Sequence, residues 1–252
     1  MMEFLRKVRV ALSPREALLK TTLSNGAVVY GKNRTGFGGR GIYVWREGIE
    51  PEFTHLEQFL DADGVFLDVG ANTGIYSIKA AQHYRSFGGG LVLALEPFPD
   101  VLATLYHSVQ ANGFANVRLR NVCAGAVTGN ASFWLNGKTP HTFSLLQHDK
   151  KASSFSVMVV AIDDLLQWEG ISRLDYVKID VEGAESVVLQ GARKSIERFR
   201  PIIQAEIAYN DIHFTIENYS TFRAAPKSPN NVYIPNESPK IAVAERLGWK
   251  RL

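Results

Sequence analysis

The stretch Phe66-Leu67-Asp68-Val69-Gly70-Ala71-Asn72-Thr73-Gly74 constrains the fold of this chain more than any other. A short apolar run ends in a glycine, and a helical pattern follows from Thr73 to Tyr84. The alternation then repeats. Leu91 to Leu95 reads as a second buried strand, and Pro99 to Asn112 as a helix with Val101, Leu105 and Val109 on one face and Gly113 as its stop. Val117 to Val122 reads as a third strand and Asp175 to Val181 as a fourth. Ala184 to Phe199 reads as one helix, and Pro201 to Ile207 as a fifth strand with proline tolerated at its start. Strands alternating with helices predict an α/β protein with a mainly parallel sheet covered on both faces.

Three regions depart from that rhythm. Residues 1–60 carry short runs read as strands, Val28-Val29-Tyr30 and Ile42-Tyr43-Val44-Trp45, then a helix from Pro51 to Leu60. They read as an N-terminal cap packed on a core of residues 61–252. Asn136 to Ser156 is a long polar segment, and loops of that length in compact domains are usually functional or mobile. Beyond Ile207 the pattern is irregular until a short helix near Ala242 to Leu247.

Composition narrows the function classes. Apolar residues make up 46% of the 252 and charged residues 21%, as in an ordinary globular chain. The longest apolar run, Val157 to Ile162, is far below the ~20 residues of a membrane helix, so no span is expected. The start of the chain does not read as a secretory signal. A single cysteine, Cys123, excludes an internal disulfide and fits a reducing cytoplasm. A net charge of +3 is too mild to point to nucleic acid. Nothing in the chain sets the oligomeric state.

In an open parallel sheet, ligands bind at the carboxyl ends of the strands. Gly70 lets the backbone turn there, Gly74 allows close helix–strand packing, and the free N–H groups of the helix start suit a polar ligand. Asn72 stands where a dinucleotide fingerprint has the glycine that admits a pyrophosphate. That argues against NAD and for a nucleoside cofactor without phosphates. Glu96 ends the second strand, where a carboxylate can accept hydrogen bonds from the cis hydroxyls of a ribose.

Phe66 to Gly74 resembles the first motif of class I S-adenosylmethionine-dependent methyltransferases, and its Ala71-Asn72 variant resembles the FkbM-type branch. Val177-Lys178-Ile179-Asp180-Val181-Glu182-Gly183-Ala184-Glu185, followed by Leu189-Gln190-Gly191-Ala192, is similar to the hallmark of that branch. Val159 to Leu165, Arg200-Pro201, Glu206 and Asn231 to Pro235 extend the likeness. The resemblance implies a Rossmann-like doubly wound sheet, mostly parallel and seven-stranded, with a small N-terminal cap. It implies S-adenosylmethionine as cofactor. Asp68, Gly70, Asn72, Thr73 and Gly74 would lie along its methionine portion, Glu96 would hold the ribose, and Pro97, Phe98, Cys123 and Ala124 would border the adenine. The sequence departs from the pattern after Glu206, where the branch commonly has a full helix and a longer hairpin.

An alcohol oxygen needs help to lose its proton as it attacks a methyl group. Asp180, Glu182 and Glu206 are the candidate catalytic carboxylates, as base or as acceptor of the substrate hydroxyl. A hard cation such as Mg2+ is an open alternative, and no metal ligands are assigned. Glu50 and Glu52 are candidates to reach the cofactor's amino group. His141 and His148 lie in the polar segment, where a histidine is more often solvated than catalytic. The expected acceptor is a hydroxyl on a small molecule or glycan, a sugar or natural product. Two other readings stay open. A nucleotide-cofactor oxidoreductase or epimerase is disfavoured by the missing second glycine and by the lack of a Tyr-x-x-x-Lys pair on a helix. A non-catalytic module that retained the fold is the other.

Overall fold

The computed structural model of the chain describes residues 1–137, 143–206 and 215–252. The chain opens with α1 (Met2–Leu12), a hairpin of β1 (Leu18–Thr22) and β2 (Val28–Lys32), then α2 (Gly39–Trp45) and α3 (Pro51–His55). The core follows as β3 (Val65–Val69), α4 (Ile75–Phe87), β4 (Leu91–Leu95), α5 (Pro99–Asn112) and β5 (Val117–Arg120). Next come β6 (Cys123–Ala124), β7 (Gly129–Leu135), β8 (Phe143–Ser144) and β9 (Ser153–Val160). The chain continues through α6 (Ile162–Trp168), β10 (Tyr176–Ile179), α7 (Glu185–Gly191), α8 (Arg193–Phe199) and β11 (Ile202–Glu206). It ends with β12 (Tyr219–Arg223), β13 (Asn230–Pro235), α9 (Lys240–Arg246) and β14 (Lys250–Arg251).

The central sheet runs β14-β12-β13-β11-β10-β3-β4-β5. β5, β4, β3, β10 and β11 are parallel, and the last three strands on the β11 side are antiparallel. The fold is the expected mostly parallel α/β sheet, with the two-residue β14 as an eighth strand at its edge. Alternation along each strand sorts the core into two layers. Phe66, Val92, Ala94 and Ile202 face one cluster with α4, α5, α9 and the N-terminal residues Leu23, Val29 and Phe53. Leu67, Leu93, Val177 and Ile203 face the other, with α6, α7 and α8. Ordinary runs of Val, Leu and Ile therefore fill both sides, as parallel strands require.

The N-terminal segment is tied to α5 by polar contacts. Asn112 accepts the N–H of Val28 at 2.8 Å and donates to its C=O at 2.6 Å. Ser108, one turn earlier, accepts the N–H of Tyr30 at 3.0 Å. These side chains satisfy a strand edge that would otherwise stay unpaired.

Four expectations are corrected. Ile42 to Trp45 is helical within α2, not a strand. Gly39 is pressed against Gly31, where an added Cβ would stand 2.3 Å from the Gly39 Cα. The other edge of β2 is taken by β1, which the sequence pattern does not reveal. Four apolar residues cannot separate helix from strand by periodicity alone. Second, Ala184 to Phe199 is two helices. Asp163 of α6 accepts the N–H of Lys194 at 3.1 Å and of Ser195 at 2.8 Å, so it caps a second helix start from outside. Third, the described part of 136–156 contributes β8 and the start of β9 to a second sheet, β6-β9-β7-β8. Fourth, β12 gives regular structure to the tail between 219 and 223, where none was expected. His141 and Ile207 lie outside the described residues.

At Gly70 the turn after β3 passes close against the end of β10. The φ of Gly70 is +75°, and an added Cβ would stand 1.9 Å from the carbonyl oxygen of Asp180. Gly70→Ala is expected to lower stability by about 3 kcal/mol or more, the sum of a strained φ and a backbone clash. Urea unfolding measures it.

Candidate functional site

The carboxyl ends of β3, β4 and β10 surround a cavity with about 640 Å³ of space between atoms, partly open to solvent. Gly70 and Asn72 form one wall, Glu96, Pro97 and Phe98 a second, and Asp180, Val181 and Glu182 a third. Cys123 and Ala124 of β6 lie along it too. The far side comes from the second sheet, through Phe133, Phe143 and Leu145.

Local geometry explains the first wall. The N–H groups of Gly70 and Ala71 donate to the C=O of Leu95 at 3.0 and 2.9 Å, which bends the chain over the end of β4. Asn72 sits at φ +52°, a left-handed conformation that asparagine tolerates better than most residues, and its Oδ1 accepts the N–H of Thr73 at 2.7 Å. Glu96 accepts the N–H of Asn72 at 2.8 Å through Oε2 and that of Phe98 at 2.8 Å through Oε1. Burial pushes its carboxyl up to about 7 against the lowering effect of these two amides. Asn121 donates to the C=O of Glu96 and of Pro97, both at 2.9 Å, and so pins this turn to the chain beyond β5.

Three of the residues expected along the cofactor do not line the cavity. Asp68 is fully buried behind the wall, accepting from the Ser77 hydroxyl at 2.6 Å and lying 4.0 Å from the Lys178 ammonium. Thr73 is buried under the turn. Gly74 makes room for Leu105, whose Cδ1 would meet an added Cβ at 2.1 Å. The close packing at Gly74 is therefore helix on helix, α4 against α5, rather than helix on strand.

Opposite, Lys178 lies in register with Asp68 on the neighbouring strand and donates to Asp180 at 3.0 Å. Its side chain is almost wholly buried. Burial lowers the ammonium pKa, but the charges of Asp180, Asp68 and Glu50 outweigh this and hold it above its ordinary value. Glu206 hydrogen-bonds with Asp180, and burial plus that neighbouring charge raise its carboxyl well above the usual range. Glu182, at φ +55°, is pushed up to about 8 by burial and then by Asp180 and Glu185. Glu185 accepts the N–H of Val181 at 3.1 Å and of Gly183 at 3.2 Å, so it braces the turn that carries Glu182. Glu206 adjoins the acidic wall without lining the cavity.

Glu50 and Glu52 are engaged elsewhere. Glu50 accepts from the Tyr76 hydroxyl at 2.6 Å and from Asn230 at 3.1 Å, and Glu52 accepts from Ser228 at 2.5 Å. Tyr76 also accepts from Gln204 at 2.8 Å, and Gln204 accepts from Tyr176 at 2.9 Å. Sequence reasoning missed Lys178 and Gln204, although both sit two residues before a candidate carboxylate and so share its strand face. It also missed Phe133, Phe143 and Leu145, for which no sequence signal exists. His148 is exposed, with its ring near Gly183. Burial pushes the Cys123 thiol up to about 12, which suits a packing role.

Among the described residues no group of three or more His, Cys, Asp or Glu side chains is arranged to hold a metal ion.

A family model described as the methyltransferase FkbM domain matches residues 68–225. A protein of Beauveria bassiana (strain ARSEF 2860) described as Methyltransferase 1 is 26% identical over 171 residues, covering 57% of this chain and 68% of that protein. The solved structure of methyltransferase FkbM from Methylobacillus flagellatus KT matches with a TM-score of 0.50 and 19% identity, over 78% of this chain and 53% of that one. The chain thus spans about half the length of that structure, and the likeness speaks for the fold.

Two expected outcomes follow from the site's charges. Lys178→Met leaves Asp68 and Asp180 without their cation, and is expected to cost about 3–5 kcal/mol in urea unfolding. Glu96 and Glu182 have folded pKa values raised to about 7 and about 8. Their contribution to stability is complete below the ordinary carboxylate pKa and is lost as pH rises through those values. The melting temperature should therefore fall between about pH 5 and 8, and Glu182→Gln should make that fall shallower.

Proposed function

Because the chain belongs to the FkbM methyltransferase family, we propose that it transfers a methyl group from S-adenosylmethionine to a hydroxyl of a small molecule or glycan. The observation that carries this reading is the pairing of a nucleoside-type wall, Gly70 to Asn72 with Glu96, and an acidic wall, Asp180 with Glu182, across one cavity. When bound, S-adenosylmethionine would supply a methyl carbon activated by a sulfonium centre. Glu96 suits its ribose, since each carboxylate oxygen takes one backbone N–H and keeps a lone pair for a hydroxyl. Pro97, Phe98, Cys123 and Ala124 offer a flat, largely apolar slot for the adenine. Gly70 and Asn72 border the remaining portion, while Asp68 acts indirectly by holding Ser77 of α4 and balancing Lys178.

On the acidic wall, Lys178 fixes Asp180 so that it can orient the acceptor hydroxyl. Glu182 is the base we assign, because a carboxyl poised near 8 can take a proton close to neutral pH. Glu206 retains a proton and donates it in its hydrogen bond with Asp180, which keeps two carboxylates from repelling each other at the wall. Phe133, Phe143 and Leu145 give the far side of the cavity an apolar surface. The carboxylates favour an acceptor rich in hydroxyl donors, which is the reason for assigning oxygen as the methylated atom.

Calorimetric titration with S-adenosylhomocysteine beside NAD+ tests the cofactor. Micromolar binding of the first alone is expected, strengthening as pH rises through about 7 because ribose hydroxyls favour ionised Glu96. Glu96→Ala should abolish it. Failure of S-adenosylhomocysteine to bind, or binding of NAD+ instead, would overturn the assignment. With a screened hydroxyl acceptor, Glu182→Gln should lower kcat by about 10²-fold or more while leaving cofactor affinity intact. Full turnover in that variant removes Glu182 from the mechanism.

A further inference from the structure

Helix α1 presents its apolar stripe to solvent. None of its 11 residues is buried. Its ties to the body are polar: Arg6 donates to the C=O of Val44 at 3.1 Å, and Asn33 donates to the C=O of Val10 at 2.9 Å. The Arg9 guanidinium lies 6.0 Å from the centre of the Tyr43 ring. At 3.6 residues per turn, Arg6 and Val10 share one side of the helix, and Phe4, Leu5, Val8 and Leu12 share the opposite side. Those four are 68%, 58%, 38% and 81% exposed. A surface helix of a globular protein ordinarily turns such a stripe inward. Here the body holds the polar side and leaves the stripe open.

The charges say what covers it. Lys7 flanks the stripe on one border and Arg9 on the other, and the helix's one acid, Glu3, is paired with Lys7 at 2.6 Å. A stripe pairing with its own copy about a twofold axis would set the flanking cations of one helix against those of the other. An anionic lipid surface meets both features at once, with acyl chains for the stripe and phosphates for its cationic borders. We propose that α1 docks the protein on an anionic lipid surface, lying in the plane of the headgroups. No membrane crossing is involved: among the described residues no helix is long and apolar enough for one. The proposal stands apart from the cavity and does not depend on the reaction assigned to it.

Co-sedimentation of the full chain with phosphatidylcholine vesicles, with and without phosphatidylglycerol, tests it. Binding is expected only to the anionic vesicles, weakening as salt is raised. Leu5→Glu with Val8→Glu should abolish it, and Lys7→Gln should weaken it about fivefold, the effect of one cation near the surface. Both variants alter exposed positions and should keep the parent's circular dichroism spectrum and melting temperature, which separates lost docking from misfolding. Absence of binding to either vesicle, or binding that survives the double substitution, overturns the proposal. A dimer in light scattering that the double substitution dissociates, without vesicle binding, also overturns it and assigns the stripe to a second copy.

Discussion

A lysine buried between two carboxylates organises this molecule. Lys178 stands beside Asp68 in the parallel register of β10 and β3, and two residues later Asp180 emerges on the same strand face. A buried ammonium is tolerable only with such partners. The arrangement links a residue that braces the first helix, through Ser77, to a residue that faces the cavity. The two walls of the site are thus joined through the sheet as well as across the crevice. Gly70 completes the link, since only a residue without a side chain lets the turn after β3 approach the Asp180 carbonyl so closely.

A second polar layer lies behind this one. Glu50, Tyr76, Gln204 and Tyr176 form a continuous hydrogen-bonded chain from the N-terminal segment to the neighbouring strands. Asn230, the first residue of β13, joins it through Glu50, and Ser228 just before that strand bonds the adjacent Glu52. Buried polar groups are costly when unpaired and rigid when satisfied. The chain between α2 and β3 is therefore held to the core by specific bonds as well as by Phe53 and its apolar neighbours. The open stripe of α1 is the reverse case, apolar surface for which the body supplies no cover.

Much of the core was legible because parallel strands are short runs of Val, Leu and Ile, and the helices between them carry clear stops. Pro99 and Gly113 bound α5 as read, and the Gly113 φ of +64° is the reason a glycine stands there. The site was legible where chemistry sits on local punctuation: Gly70, Asn72 and Glu96 all lie at strand ends. Asp68 was legible as an acid beside the site, but not as one turned to Ser77 and Lys178. Glu50 and Glu52 were placed near the ligand by proximity in sequence, and of their partners only Tyr76 is within thirty positions, while Ser228 and Asn230 come from more than a hundred positions away.

The sequence by itself determined the alternation of strand and helix, the glycine turn after β3 and the carboxylates at the strand ends. These depend on local periodicity and on backbone conformations that single residues permit. Only the tertiary structure decided that Ile42 to Trp45 coils, that α7 and α8 separate at Asp163, and that Phe133, Phe143 and Leu145 close the cavity. Each of those outcomes depends on a partner distant in the chain, whether a glycine backbone, a capping carboxylate or a second sheet. No local pattern encodes which distant group will arrive.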